Sequence, residues 1–294
     1  DEKVQIQGRL MASIMAQGRG VEVGTMLDEI SGKGDLNGRL GKMVGFLECG
    51  EIFFDVQDPR MVELYDLICR AFLRSIQEKS APERGDDVLE YATTLLQKGF
   101  LPPAEMAYRY LLEKGNRIEV KASVIASALV DLGATLRDSE RIKEASVLFG
   151  QALEFAVEHQ LGALWTGFAR AGIGDAELMN RNLPVAAEQY DQARRSGVEM
   201  KDTNLETWAL MGLGDVLLEQ DDVSGAEERY RSIRWSDGSL SGDTRMLLGL
   251  ARCCLRQNKI DDAAFFVNQG KAMCTRRPYR FRLKQFVAVA EELA

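Results

Sequence analysis

The chain has 294 residues, enough for one large or two ordinary domains around a substantial core. Hydrophobic residues make up 46%, which excludes a disordered chain, and the net charge of −8 argues against a protein that binds nucleic acid directly by neutralising phosphates. The 6 prolines and the recurring Ala, Leu, Glu, Gln and Arg favour helix over strand.

Residues 3–16 read as a helix. Glycines then crowd the stretch from Gly18 to Gly50. Within it, Ser31 to Lys42 invites a phosphate-loop reading. Such a loop needs a glycine five residues before its Gly-Lys pair and a Ser or Thr after it. Around Gly41-Lys42 those places hold Leu36 and Met43; around Gly32-Lys33 they hold Leu27 and Gly34. Both fail, so these glycines belong to turns and loops. Asp58-Pro59 opens a strong helix running to Lys79, with Asp58 as its cap and Leu64, Ile68, Phe72 and Ile76 on one buried face. Residues 1–80 are expected to form a helical N-terminal region packed on the first of the repeats that begin near residue 85. Ser80 to Gly85 is the expected joint.

Beyond the joint the sequence repeats. Leu132-Gly133 is followed by Ala145, Phe149 and Ala152; Ile173-Gly174 by Ala186, Tyr190 and Ala193; Leu213-Gly214 by Ala226, Tyr230 and Ile233; Leu250-Ala251 by Ala263, Val267 and Gly270. Upstream, Tyr91-Ala92 is followed by Gly99, Ala104, Tyr108 and Leu111. The key alanines, Ala104, Ala145, Ala186, Ala226 and Ala263, lie at spacings of 41, 41, 40 and 37. A small residue in one helix lets a second helix approach. The aromatic four residues beyond the alanine lies on the same face and fills the space behind it. One hairpin cannot bury its apolar face alone, so such units stack.

This pattern resembles the tetratricopeptide (TPR) repeat family over roughly residues 85 to 275. Its period is longer than the ~34 residues usual there, the usual proline between repeats is missing, and the last copy has Val267 and Gly270 where an aromatic and an alanine are expected. The resemblance implies an all-α fold, a right-handed α-solenoid of antiparallel helix pairs. About five pairs would fill residues 81–294, with a C-terminal capping helix from about Tyr279 to Glu292. Local chemistry marks boundaries. Pro102-Pro103 opens a second helix, Gly115 and Gly197 stop helices, Asp261 and Asp262 sit in a first turn, and Arg234 to Asp243 reads as a loop.

Sites for chemistry are scarce. The five cysteines, Cys49, Cys69, Cys253, Cys254 and Cys274, form no CxxC pair and sit among apolar residues. They read as buried thiols in a reducing compartment, hence a cytoplasmic protein, and burial outweighs a redox role for the vicinal Cys253-Cys254. His159, the single histidine, falls near a helix end, where a cation suits the dipole. No catalytic, cofactor or metal motif is present, and no apolar run approaches the ~20 residues of a membrane span. The chain opens on Asp1 and ends at Ala294 within helical sequence, as a piece of a longer protein would.

In TPR stacks the first helices line a concave groove. By resemblance its residues here include Leu89, Glu90, Thr93 and Gln97; Ser127, Val130, Asp131, Ala134, Arg137 and Asp138; then Phe168, Ala171, Asp175 and Met179; Trp208, Met211, Asp215 and Glu219; and Arg245, Leu248, Arg252 and Arg256. The expected partner-binding set is Phe168, Asp175, Met179, Trp208, Met211, Asp215, Arg245, Arg252 and Arg256. The aromatics and methionines would be apolar anchors and the arginines, with Arg276 and Arg277 nearby, would clamp a carboxylate. Two alternatives stand beside this. Phe168 and Trp208 can pack between repeats, and the arginines can pair with acids such as Glu177 or Glu219. The expected function is a non-enzymatic scaffold or adaptor for a protein or peptide. It has no cofactor and no direct nucleic-acid contact, and self-association remains open. The alternatives are a regulatory or sensor domain of a larger signalling or transcription-regulating protein, and an enzyme with a site in residues 1–80.

Overall fold

The structure, a computed structural model, describes residues 2–31, 42–43, 45–47, 49–50, 58–75, 81–97, 99–115, 120–233, 240–276 and 280–293. Among these the fold is all-α, with no strand. Several expectations lie outside the described residues: most of the Ser31–Lys42 stretch, Ile76 to Lys79, Ser80, and 234–239 of the expected loop. The chain divides into two compact units. The first comprises Asp1–Leu96 with Phe100–Val124, and the second Gln97–Gly99 with Ile125–Ala294.

The first unit contains α1 (Glu2–Ala16), α2 (Gly20–Ser31), α3 (Pro59–Ser75), α4 (Ala81–Gln97) and α5 (Leu101–Gly115). Helix α3 starts where its cap chemistry places it: the Arg60 N–H donates to Asp58 Oδ1 at 2.9 Å. Its apolar face is buried through Leu64, Ile68 and Phe72. The helix packs on α2 and α5, and the Phe72 ring stacks on Tyr91 of α4 with centroids 4.0 Å apart. The N-terminal helices and the first repeat therefore share one core. Ala81 to Gly85, expected as a joint, form the first turn of α4 instead.

The second unit is a run of helix pairs. The first helices are α6 (Ala122–Asp138), α8 (Ala163–Met179), α10 (Thr203–Glu219) and α12 (Leu240–Arg256); the unit boundary falls inside α6. The second helices are α7 (Ile142–Glu158), α9 (Leu183–Met200), α11 (Val223–Ser232) and α13 (Ile260–Arg276), and α14 (Arg280–Glu292) follows. Helix α9 packs against α8 and α10, α11 against α10 and α12, and α13 against α12 and α14. First helices also touch in sequence: α8 with α10, α10 with α12, α12 with α14. Helix α14, where a capping helix was expected, thus takes the place of the first helix of one more pair. Leu240 to Asp243, expected in a loop, are the first turn of α12.

The turn inside each pair has one geometry. Gly99, Glu140, Arg181, Asp221 and Asn258 adopt left-handed backbone, at the same spacings as the key alanines five residues later. The residue that follows bonds back to the carbonyl five before it, as in Arg141 N–H to Leu136 O at 2.9 Å and Lys259 N–H to Cys254 O at 2.9 Å, which closes a Schellman cap.

The repeated aromatic is held between glycines of two helices. A Cβ added at Gly133, Gly174 or Gly214 would lie 2.6 to 2.8 Å from the Phe149, Tyr190 or Tyr230 ring of the same pair. A Cβ at Gly172, Gly212 or Gly249 would strike the same three rings from the next pair, closer still. All three rings are fully buried, and each contributes about 1.5–3 kcal/mol of transfer free energy. In the last pair Ala251 faces the smaller Val267, and Gly270 receives Phe286 of α14 instead. Gly197, expected to stop a helix, lies inside α9, which ends at Met200 with Lys201 left-handed. Its role is contact: a Cβ there would sit 2.8 Å from the Glu206 backbone nitrogen of α10.

Candidate partner-binding site

The residue after each packed glycine decides what the aromatic's tip meets. After Gly174 and Gly214 come Asp175 and Asp215, and fifteen residues on come Tyr190 and Tyr230. The Tyr190 hydroxyl donates to Asp175 Oδ1 at 2.6 Å, and the Tyr230 hydroxyl to Asp215 Oδ1 at 2.5 Å. In the first unit the same spacing joins Tyr108 to Thr93 at 3.2 Å. Where the pair has Phe149, the matching residue is Ala134, which offers no acceptor and needs none.

Arginines cross-link these aspartates. Arg245 of α12 reaches Asp175 Oδ1 at 3.0 Å and grips Asp215 Oδ2 through Nε at 2.8 Å and Nη2 at 2.6 Å. Arg137 of α6 pairs with Asp138 at 2.8 Å and with Asp175 Oδ2, which also accepts from Trp208 Nε1 at 2.9 Å. The Arg137 guanidinium lies 5.6 Å from the centre of the Trp208 ring. Asp175 is only 2% exposed. Burial pushes its carboxyl up, but the charges of Arg245 and Arg137 and the Tyr190 and Trp208 hydrogen bonds outweigh this and hold it at about 2. Burial, reinforced by the neighbouring aspartates, pushes the Tyr190 and Tyr230 hydroxyls well up, so both remain donors.

Over this network opens a cavity of about 290 Å³. Its wall is made by Arg137, Asp138, Asp175, Asp215 and Arg245 of this network, together with Leu178, Met179, Arg181, Leu218, Glu219, Arg252, Arg282 and Gln285.

Of the nine expected residues, Asp175, Met179, Asp215, Arg245 and Arg252 are brought together here. Met179 is 47% exposed, whereas Arg245 is 12% exposed and engaged by two carboxylates. Phe168 and Trp208 are half-buried and pack against Ala171, Ala193, Leu205 and Ala209, their rings 6.3 Å apart. Met211 is buried against the core cluster around Tyr230, Met246 and Leu250. Arg256 bonds to the Leu218 carbonyl and to Asp221 at 3.3 Å, outside the cavity wall. Sequence reasoning does not single out Arg181, Arg282 or Gln285, nor the tyrosine hydroxyls. The fifteen-residue Asp–Tyr spacing is the available signal for the hydroxyls.

Among the described residues there is no cluster of side chains placed to hold a metal ion, and no helix is long and apolar enough to cross a membrane. All five cysteines are free and buried, and burial drives the Cys69 and Cys253 thiols up to about 12. His159 caps α7, its ring stacked on Phe155 at 3.9 Å.

Together, the paired helices, the small-residue grooves and the clamped aromatic make this a TPR-like helical repeat protein. The fold is shared with a Rap protein solved in complex with Competence and Sporulation Factor, at 12% identity and a TM-score of 0.57, over 97% of this chain and 80% of that one. It is shared also with the apo form of RapI, at 13% identity and a TM-score of 0.50, over 85% of this chain and 97% of that one. No family model matches the sequence, and no curated protein matches it.

Proposed function

We propose that the chain is a non-enzymatic interaction scaffold that holds a peptide or a segment of a partner protein on the first-helix face of its second unit. One observation carries this reading: the cavity of about 290 Å³, open on that face and walled by side chains from successive first helices. A concave surface assembled from several repeats, with a few placed polar groups, suits an extended ligand better than a single small substrate. Five buried free thiols favour a reducing, cytoplasmic setting. A regulatory-domain reading draws on one finding, the fold shared with a Rap protein that was solved with a bound factor.

Random-peptide display on the immobilised chain tests the scaffold. Met179→Glu alters an exposed wall residue and leaves the core untouched. Peptides enriched by the wild type should lose at least about tenfold in affinity for this variant, about 1.4 kcal/mol. Enriched peptides indifferent to the change, or none enriched, would overturn the reading.

A further inference from the structure

Helix α14 keeps the register of a first helix. Arg282 stands 37 residues after Arg245, and both line the cavity. The same step leads from Gly249 to Phe286, and both meet the second helix of the preceding pair. A Cβ at Gly249 would strike the Tyr230 ring, and the Phe286 ring lies against Gly270. The step also leads from Leu250-Ala251 to Val287-Ala288. In α12 this apolar–small pair is buried, with Ala251 in one core cluster with Val267 of α13. In α14 both residues are exposed, Val287 by 39%. Among the described residues, the seat that takes a second helix in the earlier pairs is uncovered here.

The uncovered face has a pattern of its own. Phe286 and Val289 lie in the core, with Leu283, Ala290 and Leu293 packed around them. On the other side Lys284, Val287, Ala288 and Glu291 follow the i, i+3, i+4, i+7 spacing of one helical stripe, and all four are exposed. No acid lies three or four residues from Lys284, and no base three or four from Glu291. Among the described residues neither has a hydrogen-bond or ion-pair partner. Elsewhere in the unit exposed arginines do use that spacing: Arg141 with Glu144, Arg195 with Asp191, Arg231 with Glu227.

We propose that this stripe pairs with the same stripe of a second copy, two α14 helices crossing antiparallel about a two-fold axis between Val287 and Ala288. The stripe is symmetric in position and opposite in charge about that point. Lys284 of each copy therefore meets Glu291 of the other, while the apolar residues meet at the centre and Ala288 lets the backbones approach. A parallel arrangement sets lysine against lysine. The net charge of −8 on each copy opposes contact in general, so the local charge pattern selects the geometry. One helix of 13 residues, about 20 Å long, offers less than the ~1,200 Å² of a standard interface. Exposed ion pairs add little each. The dimer is accordingly weak, with a Kd on the order of 10–100 μM. Arg282 and Gln285, which line the cavity, lie outside the stripe, so the inference does not rest on the scaffold reading.

The test is sedimentation velocity of the full chain from about 1 to 300 μM, a range that spans this Kd. The wild type should pass from monomer to dimer. Lys284→Glu and Glu291→Lys each set like charges opposite one another and should weaken the dimer at least about tenfold. Ala288→Arg should do the same by filling the centre. All three residues are exposed, so the variants should fold, and circular dichroism checks this. An equimolar mixture of Lys284→Glu with Glu291→Lys should form the dimer that neither forms alone, because one copy then carries two acids on the stripe and the other two bases. A wild type that stays monomeric throughout overturns the inference and leaves the seat to a helix of another chain. Self-association indifferent to Lys284→Glu and Ala288→Arg overturns it by placing the contact on another surface. A mixture that stays monomeric overturns it too, since the charges then do not meet.

Discussion

Asp175 receives more charge than any single neighbour could supply. Two arginines, a tyrosine hydroxyl and an indole N–H converge on one carboxylate that is almost wholly buried. Its burial alone would be costly, and the network turns that cost around. The consequence for pH has a definite sign. The folded-state carboxyl titrates at about 2 against an ordinary 3.8, so the unfolded chain takes up the proton first as the solution is acidified. Asp175 therefore stabilises the fold fully above about pH 4, and that contribution is lost as pH falls through about 2. Asp175→Asn should lower stability near neutrality by about 1.5–3 kcal/mol, because Arg245 and Arg137 each lose one of two carboxylate partners and the Tyr190 and Trp208 donors lose a charged acceptor. It should also flatten the stability–pH curve below about pH 4. Urea midpoints followed from neutral to acid pH decide both; a parallel, merely displaced curve would show that the carboxyl is not perturbed. Tyr91, in the first unit, is the opposite case. Among the described residues its buried hydroxyl has no hydrogen-bond partner, while its ring stacks on Phe72. Tyr91→Phe keeps the stack and deletes the orphan, so stability should hold or rise by about 1 kcal/mol. A clear loss on thermal unfolding would mean the hydroxyl is satisfied after all.

At the level of the helix pair, the repeat is a device for holding one ring between two backbones. Gly212 shows how tightly. A Cβ there would run into the Tyr190 ring, against which Gly174 of the ring's own pair is also tightly placed. Gly212→Ala should destabilise by about 1–3 kcal/mol through overpacking. Gly150 of α7 is the internal control, since a Cβ there meets nothing within 4 Å. Gly150→Ala should stabilise by roughly 0.5–1 kcal/mol, through helix propensity alone. Denaturant melts of the two variants should move in opposite directions; a common direction would refute the clamp. The same contacts explain what the sequence discloses. The alanines and rings recur because each must be small or large at one fixed place within its own pair. Gly172, Gly212 and Gly249 are not legible in that way, because their rings belong to the preceding pair and a pattern sought within pairs does not contain them. The left-handed turn residues keep the same spacing yet share no side-chain type, so only backbone geometry reveals them. Leu240 to Asp243 reads as loop because Ser241, Gly242 and Asp243 carry turn propensity. Packing of α12 on α11 and α13 overrides it.

The whole second unit raises a question of cooperativity. In a stacked-repeat protein each pair contacts only its neighbours, and stability is close to a sum of pair and interface contributions. Arg245 departs from that scheme. From α12 it bonds Asp215 on the adjacent α10 and also Asp175 on α8, two first helices away. Arg137 extends the chain of alternating charges to α6. That reach is invisible to spacing, because a pattern sought within pairs does not say which side chains of separate pairs meet. It also makes α6, α8, α10 and α12 partners in one ladder rather than successive independent links. Arg245→Met preserves the bulk of the side chain and removes both ion pairs. Asp175 keeps Arg137, Tyr190 and Trp208, and Asp215 keeps Tyr230, so the surviving groups remain partnered. The wild type should show slow amides of α8, α10 and α12 exchanging through one common opening. In the variant, α12, α13 and α14 should exchange at least about tenfold faster than α8 and α10, as a separate cooperative unit. Native-state hydrogen exchange resolves the two patterns. An equal acceleration across all these helices would mean that Arg245 adds stability without coupling the repeats, and the ladder would then be a set of local pairs.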